Sequence, residues 1–262
     1  MQPKSPIRAL ILDMDGVLWK DKEPIGDLPA IFTRLQSRNI RVILATNNAT
    51  RTPDQYVQKL ARFGVVIDPG SIITSANATA HKLKKNFPEG GPVFIIGEEG
   101  LIMALGEQGF WQAKSHDHPL AIVAGLDLHI TYEKLKQATL LIRSGVPFYF
   151  TNPDRTFPTP QGLIPGAGSI MAALVTATDV QPHLAGKPSP DMYLMAMERL
   201  NMAAQEVLAV GDRLETDILG GQRAGCQTGL VLSGVATQMD LAEWEPKPDF
   251  VAANLDQLTL MI

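Results

Sequence analysis

Two carboxylates stand two residues apart near the start of the chain, directly after a short apolar run. Asp13 and Asp15 follow the run at 9–12, and Gly16 comes next. In such a pair, one carboxylate can attack phosphorus to form an aspartyl phosphate. The other can give a proton to the leaving oxygen and then take one from water. A turn after a strand is the structural alternative, because aspartate and glycine favour turns.

A second acidic cluster follows a later apolar run. It contains Asp212 and Asp217; in a purely structural interpretation Asp212 is a turn residue, and Asp217 or Thr216 is a helix N-cap. If these aspartates converge with Asp13 and Asp15, each close pair repels by about 1–4 kcal/mol at effective dielectric constants of about 80 to 20. A cation would offset that repulsion, and Mg²⁺ suits oxygen ligands completed by water and phosphate. The sequence has no His or Cys cluster with zinc spacing.

Four further residues offer donors for a bound phosphate. Lys187 lies on a loop between a glycine and a proline, where a lysine is ordinarily solvated. Beside an acidic phosphate site, it would balance the charge of the nucleophile and of the phosphoryl oxygens. Thr46, Asn47 and Asn48 follow another apolar run and can supply hydroxyl, amide and backbone N–H donors. A polar turn or helix start is the alternative for those three.

The elements that must position these residues alternate between strand and helix. Short apolar runs predict buried strands at 7–12, 40–45, 93–96, 120–124, 148–150, 207–210 and 229–232. Apolar spacing near 3.6 predicts helices at 54–63, 132–143 and 191–200. Ser189 is expected to be the N-cap of the last helix, with Pro190 at its first position. The alternation predicts an α/β fold with a Rossmann-like parallel-sheet core, in which ligands bind beyond the carboxyl ends of strands.

The middle of the chain has its own alternation of strand and helix. Joints rich in glycine, proline and polar residues lie at 88–92 and 180–183. We therefore expect a core domain formed by residues 1–76 and 184–262, with a second α/β domain inserted at 77–183.

In their order along the chain, these segments resemble the four motifs of the haloacid dehalogenase superfamily. The segments are Asp13-Met14-Asp15-Gly16-Val17, Thr46-Asn47-Asn48, Gly186-Lys187-Pro188 and Gly211-Asp212-Arg213-Leu214-Glu215-Thr216-Asp217. The inserted region is similar to the cap of subfamily IIA, the NagD-like or p-nitrophenyl-phosphatase-like group, through Gly125-Leu126-Asp127, Thr151-Asn152-Pro153-Asp154 and Pro165-Gly166-Ala167-Gly168-Ser169. The resemblance covers nearly the whole chain. It implies a catalytic core with an inserted substrate-specificity cap.

The resemblance also implies the activity, a Mg²⁺-dependent phosphatase that hydrolyses small-molecule phosphate monoesters through an aspartyl phosphate. Asp13 would be the nucleophile and a metal ligand. Asp15 would be the general acid and base, and its backbone carbonyl would ligate the metal. Lys187 would orient both Asp13 and the phosphate.

The remaining motif residues would bind the phosphate and the metal. Thr46, Asn47 and Asn48 would bind the transferring phosphate together with the lysine. Asp212 would ligate Mg²⁺ directly. Asp217 would act through contacts with the ligands or through a metal-bound water.

Two alternatives stay open at this point. One is a phosphotransferase or mutase of the same superfamily, and the other is a non-catalytic, phosphatase-like binding module. Asp15 argues against the dehalogenase branch, which lacks the second carboxylate. The substrate stays open among sugar phosphates, phosphoglycolate, nucleotides and pyridoxal phosphate, because specificity in this design comes from the cap.

Composition bounds the partners and the location. The 262 residues carry a formal net charge of -4 without blocks of like charge, so the footprint of a nucleic-acid binder is missing. The apolar run at 9–12 is too short for a signal peptide or a membrane span. A single cysteine, Cys226, reads as a small buried side chain and fits a reducing compartment. We expect a cytoplasmic protein whose partner is a small phosphorylated metabolite, without nucleic-acid or membrane partners; the resemblance allows homo-oligomers through the cap.

Overall fold

The computed structural model describes residues 5–159 and 161–262. The chain divides into two compact units. The first contains the residues up to Thr46, Pro53–Ile73 and Lys187–Ile262, and the second contains Asn47–Thr52 and Thr74–Gly186. The functional division into a catalytic core and a substrate-specificity cap stays a prediction.

Strands and helices alternate along most of the chain. In chain order, the strands are β1 (Ala9–Leu12), β2 (Trp19–Lys20), β3 (Glu23–Pro24), β4 (Arg41–Thr46), β5 (Ile72–Thr74), β6 (Gly91–Ile96), β7 (Phe110–Gln112), β8 (Ile122–Ala124), β9 (Phe148–Phe150), β10 (Thr156–Thr159), β11 (Gly162–Pro165), β12 (His183–Leu184), β13 (Val207–Gly211), β14 (Gln227–Val231) and β15 (Phe250–Ala252). The helices are α1 (Leu28–Ser37), α2 (Pro53–Arg62), α3 (Ser75–Asn86), α4 (Glu99–Glu107), α5 (Tyr132–Arg143), α6 (Ala167–Thr178), α7 (Asp191–Leu200), α8 (Leu219–Arg223), α9 (Gln238–Glu243) and α10 (Leu255–Met261).

The first unit is built on a six-stranded sheet in the order β15-β14-β13-β1-β4-β5. Strand β1 is parallel to both of its neighbours, with Leu12 opposite Val210 of β13 and Leu44 of β4. The carboxyl ends of these three central strands therefore lie side by side. Since a candidate motif begins at or directly after the end of each strand, the sheet order gathers the motifs at one edge.

The strands of this sheet form because their apolar runs can be covered. All four residues of β1 are buried, as a strand in a parallel sheet covered on both faces requires. Leu10 and Leu12 belong to one hydrophobic cluster with Leu44, Leu208 and Val210. Burial of each such side chain contributes about 1.5–3 kcal/mol. The core thereby fixes the strand ends that carry the polar residues.

The second unit has its own parallel sheet in the order β12-β9-β8-β6-β7. Side chains of β8 alternate between two hydrophobic clusters, with Val123 in one and Ile122 and Ala124 in the other. Because successive side chains of a strand point to opposite faces, both faces of this sheet are covered. The predicted α/β class with parallel sheets is confirmed.

The start of α7 differs from the sequence prediction. The helix covers Asp191–Leu200 as expected, but its N-cap is Pro190 rather than Ser189. The Ser189 hydroxyl donates to the Asp191 carboxylate, and the N-cap makes no side-chain hydrogen bond to the helix. The prediction of Ser189 as N-cap with Pro190 at the first helical position is wrong, because the helix begins one residue later, at Asp191, and Pro190 takes the N-cap position.

Candidate active site

Asp13 lies just beyond the carboxyl end of β1, at the centre of the first unit's sheet. Its backbone N–H donates to the carbonyl of Val210 at 2.8 Å, which continues the hydrogen bonding of the sheet by one residue. Only 12% of its side chain is exposed. Burial raises the pKa of Asp13 well above its usual range, although the attraction of Lys187 opposes that effect.

Lys187 connects two carboxylates. Its Nζ donates to Oδ1 of Asp13 at 2.5 Å, to Oδ1 of Asp217 at 2.6 Å and to the carbonyl of Ala45 at 3.2 Å. Its side chain is 4% exposed. Burial works against the charged amine, but the two aspartates outweigh it and hold the pKa of Lys187 well above its usual value. These contacts favour the charged form of the amine, and the role of Lys187 in orienting Asp13 and the phosphate stays a prediction.

Asp212 follows β13 and is buried. Its Oδ2 accepts the backbone N–H of Val235 at 2.8 Å, whereas its buried Oδ1 has no hydrogen-bond partner among the described residues. Burial, followed by the charge of Asp217, raises the pKa of Asp212 to about 6. A buried carboxylate oxygen without a donor is costly, so this atom is a candidate ligand for a cation.

Two glycines make room for that carboxylate. A Cβ at Gly16 would lie 2.4 Å from Oδ2 of Asp212, and a Cβ at Gly234 would lie 1.9 Å from the same atom. Gly16 also has a φ of +85°, which disfavours other residues. Both positions therefore exclude side chains. The role of Gly234 was missed by sequence reasoning, because a glycine in a loop carries no distinguishing pattern.

The donor set fits a hard divalent cation. Asp13, Asp212 and Asp217 each place one carboxylate oxygen within 4.8 Å of the others. Three carboxylates face one lysine in this cluster, which leaves an excess of negative charge that a Mg²⁺ ion would offset. Oxygen ligands of this kind and the unpartnered Oδ1 of Asp212 both match the cofactor predicted from the sequence.

Asp217 is held by the protein at both of its oxygens. Oδ1 accepts from Lys187, and Oδ2 accepts the backbone N–H of Arg213 at 3.1 Å. The residue lies within a π-helical turn at Leu214–Ile218 whose N-cap is Arg213, so the interpretation of Asp217 or Thr216 as a helix N-cap is wrong. Both oxygens are engaged, and this supports an indirect role for Asp217 in holding the lysine.

Asp15 is exposed and is held by a tryptophan. The indole Nε1 of Trp19 donates to Oδ1 of Asp15 at 2.7 Å. Sequence reasoning gave Trp19 no role of its own, although it lies only four residues further along the chain. A buried indole needs a hydrogen-bond partner for its N–H. The acid four residues earlier in the sequence is the signal that could have predicted this contact.

The predicted phosphate-binding segment is divided between the two units. Thr46 ends β4 in the first unit and is buried. Asn47 and Asn48 belong to the second unit, where the Asn47 amide donates to Asp154 at 3.1 Å and the Asn48 side chain accepts from the Thr50 backbone at 2.9 Å. Phosphate binding by these three residues stays a prediction.

An α/β fold with clustered carboxylates and a lysine at the carboxyl ends of central strands is typical of metal-dependent phosphoryl-transfer enzymes. Comparison with known proteins makes this class specific. A family model described as haloacid dehalogenase-like hydrolase matches residues 10–111, and one described as HAD-hydrolase-like matches residues 184–258. The chain is 36% identical over 250 residues to an acid sugar phosphatase of Staphylococcus aureus, covering 95% of this chain and 96% of the relative.

Solved structures agree with these matches. The p-nitrophenyl phosphatase from Archaeoglobus fulgidus superposes with a TM-score of 0.91 at 31% identity, covering 98% of this chain and 100% of that one. A glycerol phosphate phosphatase from Mycobacterium tuberculosis, solved with magnesium, superposes with a TM-score of 0.89 at 35% identity, covering 98% and 78%.

The chain belongs to the haloacid dehalogenase-like hydrolases, in the NagD-like p-nitrophenyl phosphatase group. Phosphatases of this family act on phosphoric monoesters and use Mg²⁺. The predicted family, enzyme class and cofactor are thereby confirmed. Within residues 5–159 and 161–262, no helix combines the length and the apolar character that crossing a membrane requires.

Proposed function

We propose that this chain is a Mg²⁺-dependent phosphatase that hydrolyses small phosphate monoesters through an aspartyl phosphate on Asp13. The observation that carries the proposal is the cluster around Lys187. One buried amine holds Asp13 and Asp217, while the neighbouring Asp212 keeps an unpartnered buried oxygen. A binding module that performs no chemistry would have no need for this costly arrangement of charges.

The first step transfers the phosphoryl group to Asp13. Lys187 fixes Oδ1 of Asp13, which leaves the other carboxylate oxygen to attack phosphorus in line. As the new P–O bond forms, the ester P–O bond breaks, and its electron pair goes to the leaving oxygen. Asp15 gives that oxygen a proton. Asp13, Asp212 and the Asp15 carbonyl would hold Mg²⁺, which would supply charge neutralisation at the phosphoryl oxygens.

The second step releases phosphate. Asp15, now a carboxylate, takes a proton from a water molecule that attacks the phosphorus of the aspartyl phosphate. The bond between phosphorus and Asp13 breaks, and the nucleophile is regenerated as a carboxylate. Before the attack, Asp13 and Asp217 hold the pKa of Lys187 well above its usual value, so the amine is protonated; in the aspartyl phosphate, Asp217 and the phosphoryl oxygens are the negative groups that hold it.

The substrate class is a small phosphorylated metabolite, and within that class we propose sugar or polyol phosphates. Two of the relatives are named as an acid sugar phosphatase and a glycerol phosphate phosphatase. We assign the catalytic role to residues 1–76 and 184–262 and the selection of substrate to the cap at 77–183. Thr46, Asn47 and Asn48 would hold the transferring phosphate. The proposed location is the cytoplasm, with association of copies through the cap.

The test is phosphate release from p-nitrophenyl phosphate and from a panel of metabolite monoesters, with Mg²⁺ or with EDTA. We expect release that depends on Mg²⁺ and that is lost in Asp13→Asn, while the circular dichroism spectrum and melting of that variant stay those of a folded protein. Wild-type rates in folded Asp13→Asn would refute the nucleophile assignment. Folded wild-type protein that releases phosphate from none of the esters with Mg²⁺ present would refute the proposed function.

A further inference from the structure

The indole of Trp19 is buried completely, yet its polar end reaches an exposed acid. Trp19 has no exposed surface and belongs to the hydrophobic cluster of the first unit. Its Nε1 donates to Oδ1 of Asp15 at 2.7 Å, a short hydrogen bond to a carboxylate. The hydrophobic core therefore holds the tryptophan in place, and the tryptophan in turn orients the side chain of Asp15.

The backbone between the two residues is folded to bring them together. The N–H groups of Leu18 and Trp19 both donate to the carbonyl of Met14, and the N–H of Gly16 donates to the carbonyl of Trp19 at 2.8 Å. Asp15 and Trp19 consequently form an isolated backbone bridge. The left-handed φ of Gly16 permits this tight return of the chain.

The indole plane is held by neighbours along α2 and just after it. The Nζ of Lys59 lies 3.8 Å from the ring centroid, and the ring of Phe63 lies 6.0 Å away at an angle of 37°. A cation over an indole face is attracted by the ring quadrupole, and aromatic packing restricts rotation further. The N–H direction is thus fixed by packing, independently of Asp15.

We propose that Trp19 is a positioning residue for proton transfer by Asp15, an inference that rests on the proposed function. The indole N–H holds Oδ1 of Asp15, so that the proton is carried on Oδ2. In the first step, the bond from Oδ2 to its proton breaks as that proton joins the leaving oxygen. In the second step, Oδ2 takes a proton from the attacking water. Loss of the indole N–H frees the carboxyl group to rotate.

This role predicts an effect that depends on the leaving group. An alkoxide needs a proton as it departs, whereas p-nitrophenolate is stable without one. The ratio kcat/KM reports the steps up to departure of the leaving group. Replacement of Trp19 should therefore lower kcat/KM for an alkyl phosphate much more than for p-nitrophenyl phosphate. A purely structural role would lower both by the same factor.

The experiment compares Trp19→Phe with wild type on p-nitrophenyl phosphate and on the alkyl phosphate that wild type hydrolyses fastest. We expect the ratio of the two kcat/KM values to change by about 10- to 100-fold, part of what a general acid contributes. Asp15→Asn gives the pattern for complete loss of the acid. Trp111→Phe, at a half-exposed tryptophan of the second unit, is the matched control and should leave the ratio unchanged.

The ratio does not depend on the fraction of active enzyme, because that fraction cancels between substrates. An unchanged ratio in Trp19→Phe would overturn the inference while leaving the proposed function intact. If Trp19→Phe yields no active protein, β-(3-benzothienyl)alanine at position 19 keeps the indole shape and removes only the N–H. The same shift of the ratio supports the inference there, and its absence overturns it. Wild type without activity on any ester contradicts the proposed function first.

Discussion

Replacement of the buried lysine tests the electrostatic account of the site. In Lys187→Met, a side chain of similar length fills the space but removes the amine. The two charge-assisted hydrogen bonds to Asp13 and Asp217, at 2.5 and 2.6 Å, are lost with it. At about 1.5–3 kcal/mol each, they correspond to about 3–6 kcal/mol, and loss of one partner of a buried pair costs about 3–5 kcal/mol. We expect a loss of about 4 kcal/mol near pH 7 in EDTA.

The loss should depend on pH in a defined direction. Burial raises the pKa of Asp13 above its unfolded value, so protonated Asp13 favours the folded state at low pH and that contribution is lost as pH rises through the folded-state pKa. Without Lys187, the folded-state pKa of Asp13 should rise further. The variant should therefore lose metal-free stability more steeply than wild type as pH rises above about 4, the usual pKa of an unfolded aspartate.

The assay is urea unfolding followed by tryptophan fluorescence in a Trp111→Phe background. The chain has three tryptophans, and the remaining two, Trp19 and Trp244, both lie in the first unit. The signal then reports unfolding of the unit that contains the lysine. Arg8→Met, which removes a surface ion pair with Glu206 in the same unit, is the control and should change the stability by at most about 1 kcal/mol. Stability of Lys187→Met equal to that of wild type near pH 7 in EDTA would refute the reasoning.

Three further predictions concern the metal site. The pKa of about 6 for Asp212 lies above its unfolded value of 3.8. Its contribution to metal-free stability is therefore present below about pH 4 and lost by about pH 6. The change of about 3 kcal/mol is measurable by unfolding in EDTA. Mg²⁺ needs the charged carboxylate, so the rise in melting temperature with Mg²⁺ should be large near pH 7, small near pH 5 and absent in Asp212→Asn; an equal rise at both pH values would contradict this. Gly234→Ala should displace Asp212 and lower kcat by about 10²-fold, whereas Gly106→Ala, on open helix surface, should retain wild-type turnover; full activity of Gly234→Ala would show that the carboxylate tolerates the shift.

Sequence patterns predicted the four central strands of the first unit's sheet because these strands are continuous apolar runs, but they did not predict the edge strands β5 and β15. The run at 9–12 is a strand of four buried residues, and the helix at 132–143 has the bounds that its apolar spacing predicts. The shortest elements were missed. Strand β2 has two residues, too few to show any period, and only one of the three residues of β7 is buried, so β7 is not a continuous apolar run.

The candidate site could be predicted as a set of residue types, but its hydrogen bonds could not. Because the order of motifs matched a known family, Asp13 and Lys187 were named together although they lie 174 residues apart. Trp19 carries no chemistry of its own, and its contact with Asp15 depends on a tight turn. For Asp217, the sequence offered a helix cap as the structural alternative to a role near the metal, and it did not indicate that the side chain accepts hydrogen bonds from Lys187 and Arg213. Such details depend on tertiary packing that spacing alone does not encode.

Covalent capture of the phosphoryl group tests the central claim most directly. Enzyme mixed with substrate and Mg²⁺ is quenched in acid during turnover and treated with borohydride, which reduces an aspartyl phosphate to homoserine. Peptide mass spectrometry then locates the modified residue. The account predicts homoserine at position 13 and none in Asp13→Asn. Turnover with homoserine at another position, or with no homoserine at all, would contradict it.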